Sequence, residues 1–280
     1  MRSMDSRLQK VQQSLGRIEN VQLAMLNPRS LCEYECQVYS QWGEDGLIQY
    51  LIRQVVIEHP IFVEFGVENY TESNTRFLLM NNHWSGLVID GADRNIEFIK
   101  RDPIYWRHNL KAECAFVTAE NINELLKASG VDGDIGLLSI DIDGNDYWVW
   151  DAVKVVSPRI VIVEYNARFG PHRAVTVPYD PAFNRAEAHY SRIYYGASLA
   201  ALVSLGSRKG YDFVGCNSAG NNAFWVRRDV RPSALPIMTA SEGFVPSQFR
   251  ESRRRDGTLA FLSMDEEQRI LNDLPLVDIP

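Results

Sequence analysis

The sequence predicts a mostly parallel α/β sheet with helices on both faces, and three observations carry that expectation. Short, near-continuously apolar runs recur at 61–65 (IFVEF), 86–90 (GLVID), 135–142 (IGLLSIDI) and 159–165 (RIVIVEY), as strands buried on both faces do. Between them lie stretches with helical spacing, at intervals that call for right-handed crossovers. The 280 residues, 45% of them apolar, suffice for one such domain with a real core.

Charge and composition narrow the classes. A net charge of −7 makes nucleic acid a poor default partner. No apolar run approaches the ~20 residues that span a bilayer, and the polar N-terminus lacks a signal-peptide core. Cys32, Cys36, Cys114 and Cys216 are scattered, with no second Cys or His pair to complete a zinc set. They are expected to be free thiols of a reducing cytoplasm.

Taken in order, residues 4–25 place Met4, Leu8, Val11, Leu15, Ile18, Gln22 and Met25 at alternating steps of four and three. That is a heptad seam with one polar interruption. A lone helix of this length is marginal in water, so it either joins copies into a homo-oligomer or packs on its own domain. Asn27 and Pro28 end it. Ser40-Gln41-Trp42-Gly43-Glu44-Asp45-Gly46 then opens a helix over 47–56. Spacing alone favours a helix-start signal, with Glu44 and Asp45 at the positive end; the alternative is a loop lying over a cofactor.

The central unit follows. Residues 61–75 (IFVEFGVENYTESNT) read as strand, tight turn and helix start, the arrangement that binds ligands at the carboxyl edge of open α/β sheets. Helices are expected at 72–82, 93–101, 120–129 and 145–154, and a further strand at 112–118. Residues 167–195, with Gly170, Pro171, Pro178 and Pro181, form a long irregular insertion, read as a substrate-covering loop. A helix at 196–209 precedes a hairpin of 211–215 and 223–228 around a Gly/Asn-rich turn. The division is therefore an N-terminal helix (1–27), a central domain (38–230) and an extension (231–280) with a last helix at 265–273. The extension's Arg250, Arg253, Arg254 and Arg255 read as a solvated face, an inter-subunit contact or a grip on an anionic substrate.

The turn at 61–75 discriminates between cofactors. A dinucleotide fingerprint needs three glycines for close approach to a pyrophosphate. Here only Gly66 is present and Glu68 stands in the turn, where a carboxylate would repel a phosphate. S-adenosylmethionine carries no phosphate and two cationic centres, so Glu64 and Glu68 suit it. Ser73 and Asn74 open the following helix. Asp90, followed by Gly91, ends the next strand where ribose hydroxyls would lie. Thr118 and Ala119, after the third strand, would neighbour the adenine.

From Ser40 to about Asp229 the chain resembles the FkbM-like branch of class I S-adenosylmethionine-dependent methyltransferases. The matching pieces are SQWGEDG, FVEFGVENYTESNT, WSGLVIDG, LLSIDIDGNDYWVW, IVIVEYN and GASLAALVSLGSRKGY…NNAFWV. The resemblance implies a Rossmann-like, seven-stranded, mostly parallel sheet with an antiparallel C-terminal hairpin strand. It also implies O-methylation of a sugar, polysaccharide or secondary-metabolite hydroxyl. Glu68 and Tyr70 depart from it, standing where small residues are usual.

An acidic centre supplies the chemistry. Asp141-Ile142-Asp143 and Glu164-Tyr165-Asn166 end neighbouring strands on the cofactor edge. An alcohol is far too weak an acid to ionise at neutral pH, so methyl transfer needs a general base or a metal. Some class I O-methyltransferases place a divalent ion at such positions, and Asp141, Glu164 and Asn166, with Asp143 in reserve, form an oxygen set suited to Mg²⁺ or Mn²⁺. Asp141 could instead fix the cofactor or the loop backbone, with Glu164 paired to an arginine. Without a metal, Asp143, His172 or His189 is the candidate base. Two other classes remain in play. Asp141-x-Asp143 could be the metal-diphosphate motif of a nucleotide-sugar glycosyltransferase, or the fold could serve as an inactive scaffold.

Overall fold

A computed structural model describes residues 2–280, with side chains from residue 7 onward. Met4 of the heptad seam therefore lies outside the described side chains. The strands are β1 (Ile61–Phe65), β2 (Ser85–Asp90), β3 (Leu110–Cys114), β4 (Gly133–Ile140), β5 (Val156–Glu164), β6 (Val175–Thr176), β7 (Tyr211–Cys216), β8 (Asn222–Arg227) and β9 (Val277–Asp278). The helices are α1 (Arg2–Leu26), α2 (Glu44–Gln54), α3 (Arg76–Asn81), α4 (Asp93–Arg101), α5 (Pro103–Arg107), α6 (Ile122–Ala128), α7 (Asp146–Ala152), α8 (Arg185–Ala188), α9 (Leu199–Arg208), α10 (Ala240–Gly243) and α11 (Met264–Asn272).

Seven strands form one sheet in the order β3-β2-β1-β4-β5-β8-β7. The strands from β3 to β5 pair in parallel, and β8 runs antiparallel between β5 and β7. This is the expected Rossmann-like sheet with its antiparallel hairpin strand. The order reverses beside β1 and β4, so a crevice opens at their carboxyl ends. The apolar runs explain the burial. Val63, Phe65, Leu138, Ile140, Val161 and Val163 feed one core layer, and Phe62, Val88, Leu137, Ile160 and Ile162 the other.

Several boundaries moved. The third strand is Leu110–Cys114 rather than 112–118, because an edge strand alternates buried and exposed residues and its register is hard to place from an apolar run. The helix expected at 72–82 is confined to Arg76–Asn81, because Ser73 and Asn74 belong to the turn. The insertion and the extension are not independent. β6 pairs antiparallel with β9, the Tyr194 hydroxyl donates to the Pro275 carbonyl at 2.6 Å, and Arg168 pairs with Glu267 at 3.1 Å. All four cysteines are free thiols, and burial raises Cys36 to about 12. Among the described residues no helix is long and apolar enough to cross a membrane.

The SQWGEDG stretch is a staple. Asp45 and Glu44 fall in the first turn of α2, as the helix-start reading expects, but both are buried. Asp45 Oδ2 accepts the backbone N–H groups of Val38, Tyr39 and Ser40 at 2.8, 2.5 and 2.7 Å, and the Ser40 hydroxyl at 3.0 Å. Glu44 accepts from Trp42 N–H and from the amides of Asn217 and Asn222. The loop before α2 is thereby tied to the β7–β8 hairpin. Asp45→Ala strands three buried N–H donors and should lower stability by about 3 kcal/mol or more, read by urea unfolding.

Candidate functional site

A cleft of about 850 Å³ lies at the carboxyl ends of β1, β2, β4 and β5, a size typical of ligand sites. Its floor is the turn after β1. Gly66 adopts φ +72°, and a Cβ there would stand 1.6 Å from the Asp141 carbonyl oxygen. Only glycine lets the ends of β1 and β4 come so close. Glu64 accepts from Asn74 N–H at 2.8 Å and Thr75 N–H at 3.1 Å, which closes the turn onto α3. Asn74 donates onward to Ser139 Oγ at 3.1 Å. Burial pushes the Glu64 carboxyl up to about 7.

Asp90 shapes the second edge. Its Oδ2 accepts Glu68 N–H at 2.8 Å, and its Oδ1 accepts Ala92 N–H and the Asn95 amide at 2.8 and 2.9 Å. One carboxylate thus holds the β1 turn and the start of α4 together. Gln41, Glu64, Gly66, Glu68, Ser73, Asn74, Asp90, Gly91 and Asp141 all line the cleft. Thr118 and Ala119 do not. Their N–H groups are taken by Asn121 and by the Tyr179 hydroxyl. Because β3 ends early at Cys114, it is Ala115, Phe116 and Val117 that reach the cleft.

The acidic centre differs from the expected one. Oxygens of Asp141, Asp143 and Glu164 lie within 4.8 Å of one another. Asn166 is not among them. Its amide donates to the Ile193 and Tyr195 carbonyls at 2.8 and 3.0 Å and its Oδ1 accepts Arg168 N–H, so it is spent on tying the insertion to β5. Asp146 accepts Ile142 N–H and Gly144 N–H at 2.8 and 2.9 Å and thereby holds Asp143, whose φ is +57°. Glu164 Oε2 is buried without a hydrogen-bond partner. Burial, then the charges of Asp143 and Asp146, drives the Asp141 carboxyl well above the ordinary range, and burial, then Asp141 and Asp143, does the same to Glu164. Two like charges at this spacing repel on the order of 3 kcal/mol even in a responsive medium.

One cation answers them. Arg185 pairs with Asp143 at 2.6 Å and with Glu251, and its guanidinium lies 3.7 Å from the Tyr195 ring centroid. The arginine partner expected for Glu164 is therefore in the site but bonded to the neighbouring acids. His172 and His189 are not in the cleft. His172 meets Ser241 at 3.2 Å and His189 meets Ser191 at 2.6 Å. Both are corrected from candidate bases to surface-loop residues.

Sequence reasoning missed Arg185, Phe183, Asn221, Asn222, Phe249 and Glu251, all of which line the cleft. They come from the insertion, the hairpin turn and the extension, where no periodicity marks them. Trp42 stacks on Phe249 with centroids 5.4 Å apart and planes 17° apart, joining the pre-α2 loop to the extension across the mouth. A second cavity of about 770 Å³ sits at the opposite sheet edge. Its Asp134 is already paired with Arg159 and Arg227 at 2.7 and 2.6 Å.

No family model and no curated protein matches the chain. Solved structures with a similar layout include the N-terminal domain of EvdMO1 with SAH bound (9% identity, 75% of this chain and 94% of that one, TM-score 0.43). Others are a putative caffeoyl-CoA O-methyltransferase from Staphylococcus aureus (12%, 74% and 96%, 0.43) and an O-methyltransferase from Bacillus cereus in complex with SAH (13%, 74% and 87%, 0.40). At such values only the site's own geometry bears on function.

The raised carboxyls set a pH dependence. Glu64 at about 7, Asp146 at about 6, and Asp141 and Glu164, both pushed well above the ordinary carboxyl range, bind protons more tightly folded than unfolded. Their contribution to stability is full below about pH 4, their unfolded range, and is lost as pH rises through 6 to 7. Ligand-free protein should unfold at lower urea at pH 7.5 than at pH 5. Glu164→Gln should be more stable than the parent at pH 7.5 by at least about 1 kcal/mol.

Proposed function

We propose that the protein is an S-adenosylmethionine-dependent O-methyltransferase of the FkbM-like kind. Its acceptor would be a hydroxyl of a sugar, polysaccharide or secondary metabolite. The observation that carries this reading is the convergence of Glu64, Glu68, Asp90 and Asp141 on a single-glycine turn at Gly66, with the cleft's arginines, Arg185 and Arg250, contributed by the insertion and the extension rather than by the turn. Such a floor favours a ligand that brings positive charge and no phosphate. Asp90 would take the ribose hydroxyls, and Phe116 and Val117 would flank the adenine. The acceptor would enter beneath Trp42 and Phe249, whose stacked rings offer an apolar face to a sugar ring.

The reaction is a displacement at the sulfonium methyl carbon. The acceptor oxygen forms the new C–O bond while the C–S bond breaks, and its electron pair stays on sulfur as a neutral thioether. The hydroxyl proton would pass to the Asp141–Glu164 pair once the positive charge of the bound cofactor has brought the pair to its carboxylate form. Arg185 holds Asp143 in place and limits the charge that accumulates. Positioning and exclusion of water by the insertion and the extension would supply much of the acceleration.

The three carboxylates also fit a divalent ion, because Glu164 Oε2 lacks a partner and all donors are hard oxygens. Asp141, Asp143 and Glu164 would hold Mg²⁺ or Mn²⁺, which would lower the pKa of a bound hydroxyl.

Thermal and chemical unfolding with S-adenosylhomocysteine, each with Mg²⁺ or EDTA, tests the reading. At 100 times its dissociation constant the ligand should add about 2.7 kcal/mol. Asp90→Ala should weaken binding at least tenfold, a loss of about 1.4 kcal/mol. Further stabilisation by Mg²⁺, absent in Asp141→Asn, is the result expected for the metal set. Stabilisation by a UDP-sugar with metal and not by S-adenosylhomocysteine would replace this reading with glycosyl transfer. No response to either ligand would leave a non-catalytic scaffold.

A further inference from the structure

Helix α1 carries two stripes on opposite sides. Gln13, Gly16, Asn20 and Leu23, at steps of three, four and three, turn toward the domain. Gln13 donates to the Tyr39 hydroxyl at 2.9 Å, and Arg53 donates to the Asn20 carbonyl at 3.0 Å. A Cβ on Gly16 would stand 2.4 Å from Val38. The other stripe holds Leu8, Val11, Leu15, Ile18 and Met25, flanked by Val21 and Leu26, and each of these is more than half exposed. At 3.6 residues per turn the stripes lie roughly 150° apart. A helix that served only its own domain would bury its apolar side. This one docks by its polar and small side and turns the apolar seam outward.

We infer that α1 joins this chain to further copies of itself in a parallel helical bundle. The seam is self-complementary, since its steps of four and three repeat along a helix of about 38 Å. Gln22 sets the direction. In parallel register it meets Gln22 of the next copy, where the two amides can bond. An antiparallel pairing would set it against Val11 and leave a polar group without a partner. Leucines at Leu8 and Leu15 with β-branched Val11 and Ile18 at the alternate positions favour three or four helices over two. Val21 and Leu26 widen the apolar face as such a bundle requires. The domains lie on the far side of each helix and leave the seam free.

Light scattering on the full chain at tens of micromolar tests this without reference to catalysis. The expected mass is three or four times 31.9 kDa. The double variant Leu15→Asp with Ile18→Glu changes only exposed positions, so its urea midpoint for the domain should be unchanged while its mass falls to 31.9 kDa. A parent mass of 31.9 kDa would overturn the inference. So would an assembly that the double variant leaves intact, or a monomer that binds anionic phosphatidylserine vesicles through the same residues.

Discussion

The site is built on crowded like charge. Strand ends deliver Glu64, Asp90, Asp141 and Glu164 to one sheet edge, and the loop after β4 adds Asp143. Burial makes ionisation of Glu64, Asp141 and Glu164 costly, and proximity makes the second costlier than the first. Among the described residues Arg185 is the cation paired with this group, through Asp143, and it is shared with Glu251. A floor of this kind is electrostatically incomplete. It holds protons at neutral pH or accepts a cation, and a sulfonium cofactor or a divalent ion would each relieve it. The same incompleteness makes a diphosphate a poor guest.

Such a floor persists only because the frame around it is over-determined. Close packing of β1 on β4, permitted by Gly66, fixes how near the carboxylates stand. Asp146 accepts two backbone N–H groups to hold the loop that presents Asp143. Asp45 and Glu44 do the same for the wall opposite, and Asn166 anchors the insertion to the end of β5. Asp146, Asn166 and Asp45 Oδ2 are engaged by backbone groups, and Glu44 by one backbone N–H and two side-chain amides. Within one strand-end motif, Asn166 is spent on backbone carbonyls while Glu164 keeps a buried oxygen without a partner.

What the sequence disclosed follows from the range of the interactions involved. Apolar runs report burial on both faces, so β1, β2, β4 and β5 and their order of crossover were legible. Strand-end position then placed Glu64, Asp90, Asp141 and Glu164 on one edge. The roles of Asn166, His172 and His189 were not legible, because each depends on contacts that no spacing rule encodes. Arg185 reaches Asp143 across 42 residues and Glu251 across 66. The seam of α1 was legible as a pattern, but which of its sides met the domain was not. That needed the contacts of Gln13, Gly16 and Asn20.

Glu68 and Tyr70 place backbone strain in the turn after β1. Glu68 and Tyr70 adopt φ of +47° and +61°, where a side chain costs on the order of 1 kcal/mol or more each. Each is held from outside. Asp90 receives Glu68 N–H, and Arg76, buried between Tyr39 and Tyr70, donates to the Tyr70 carbonyl at 2.7 Å. The Tyr70 hydroxyl meets Thr75 Oγ1 at 2.9 Å, and Thr75 bonds Glu64. A chain of contacts thus runs from Arg76 through the strained turn to the acidic floor. Glycines would relieve the strain but loosen the turn. With Glu68 and Tyr70 its shape is set before a ligand arrives, so less ordering cost falls on binding.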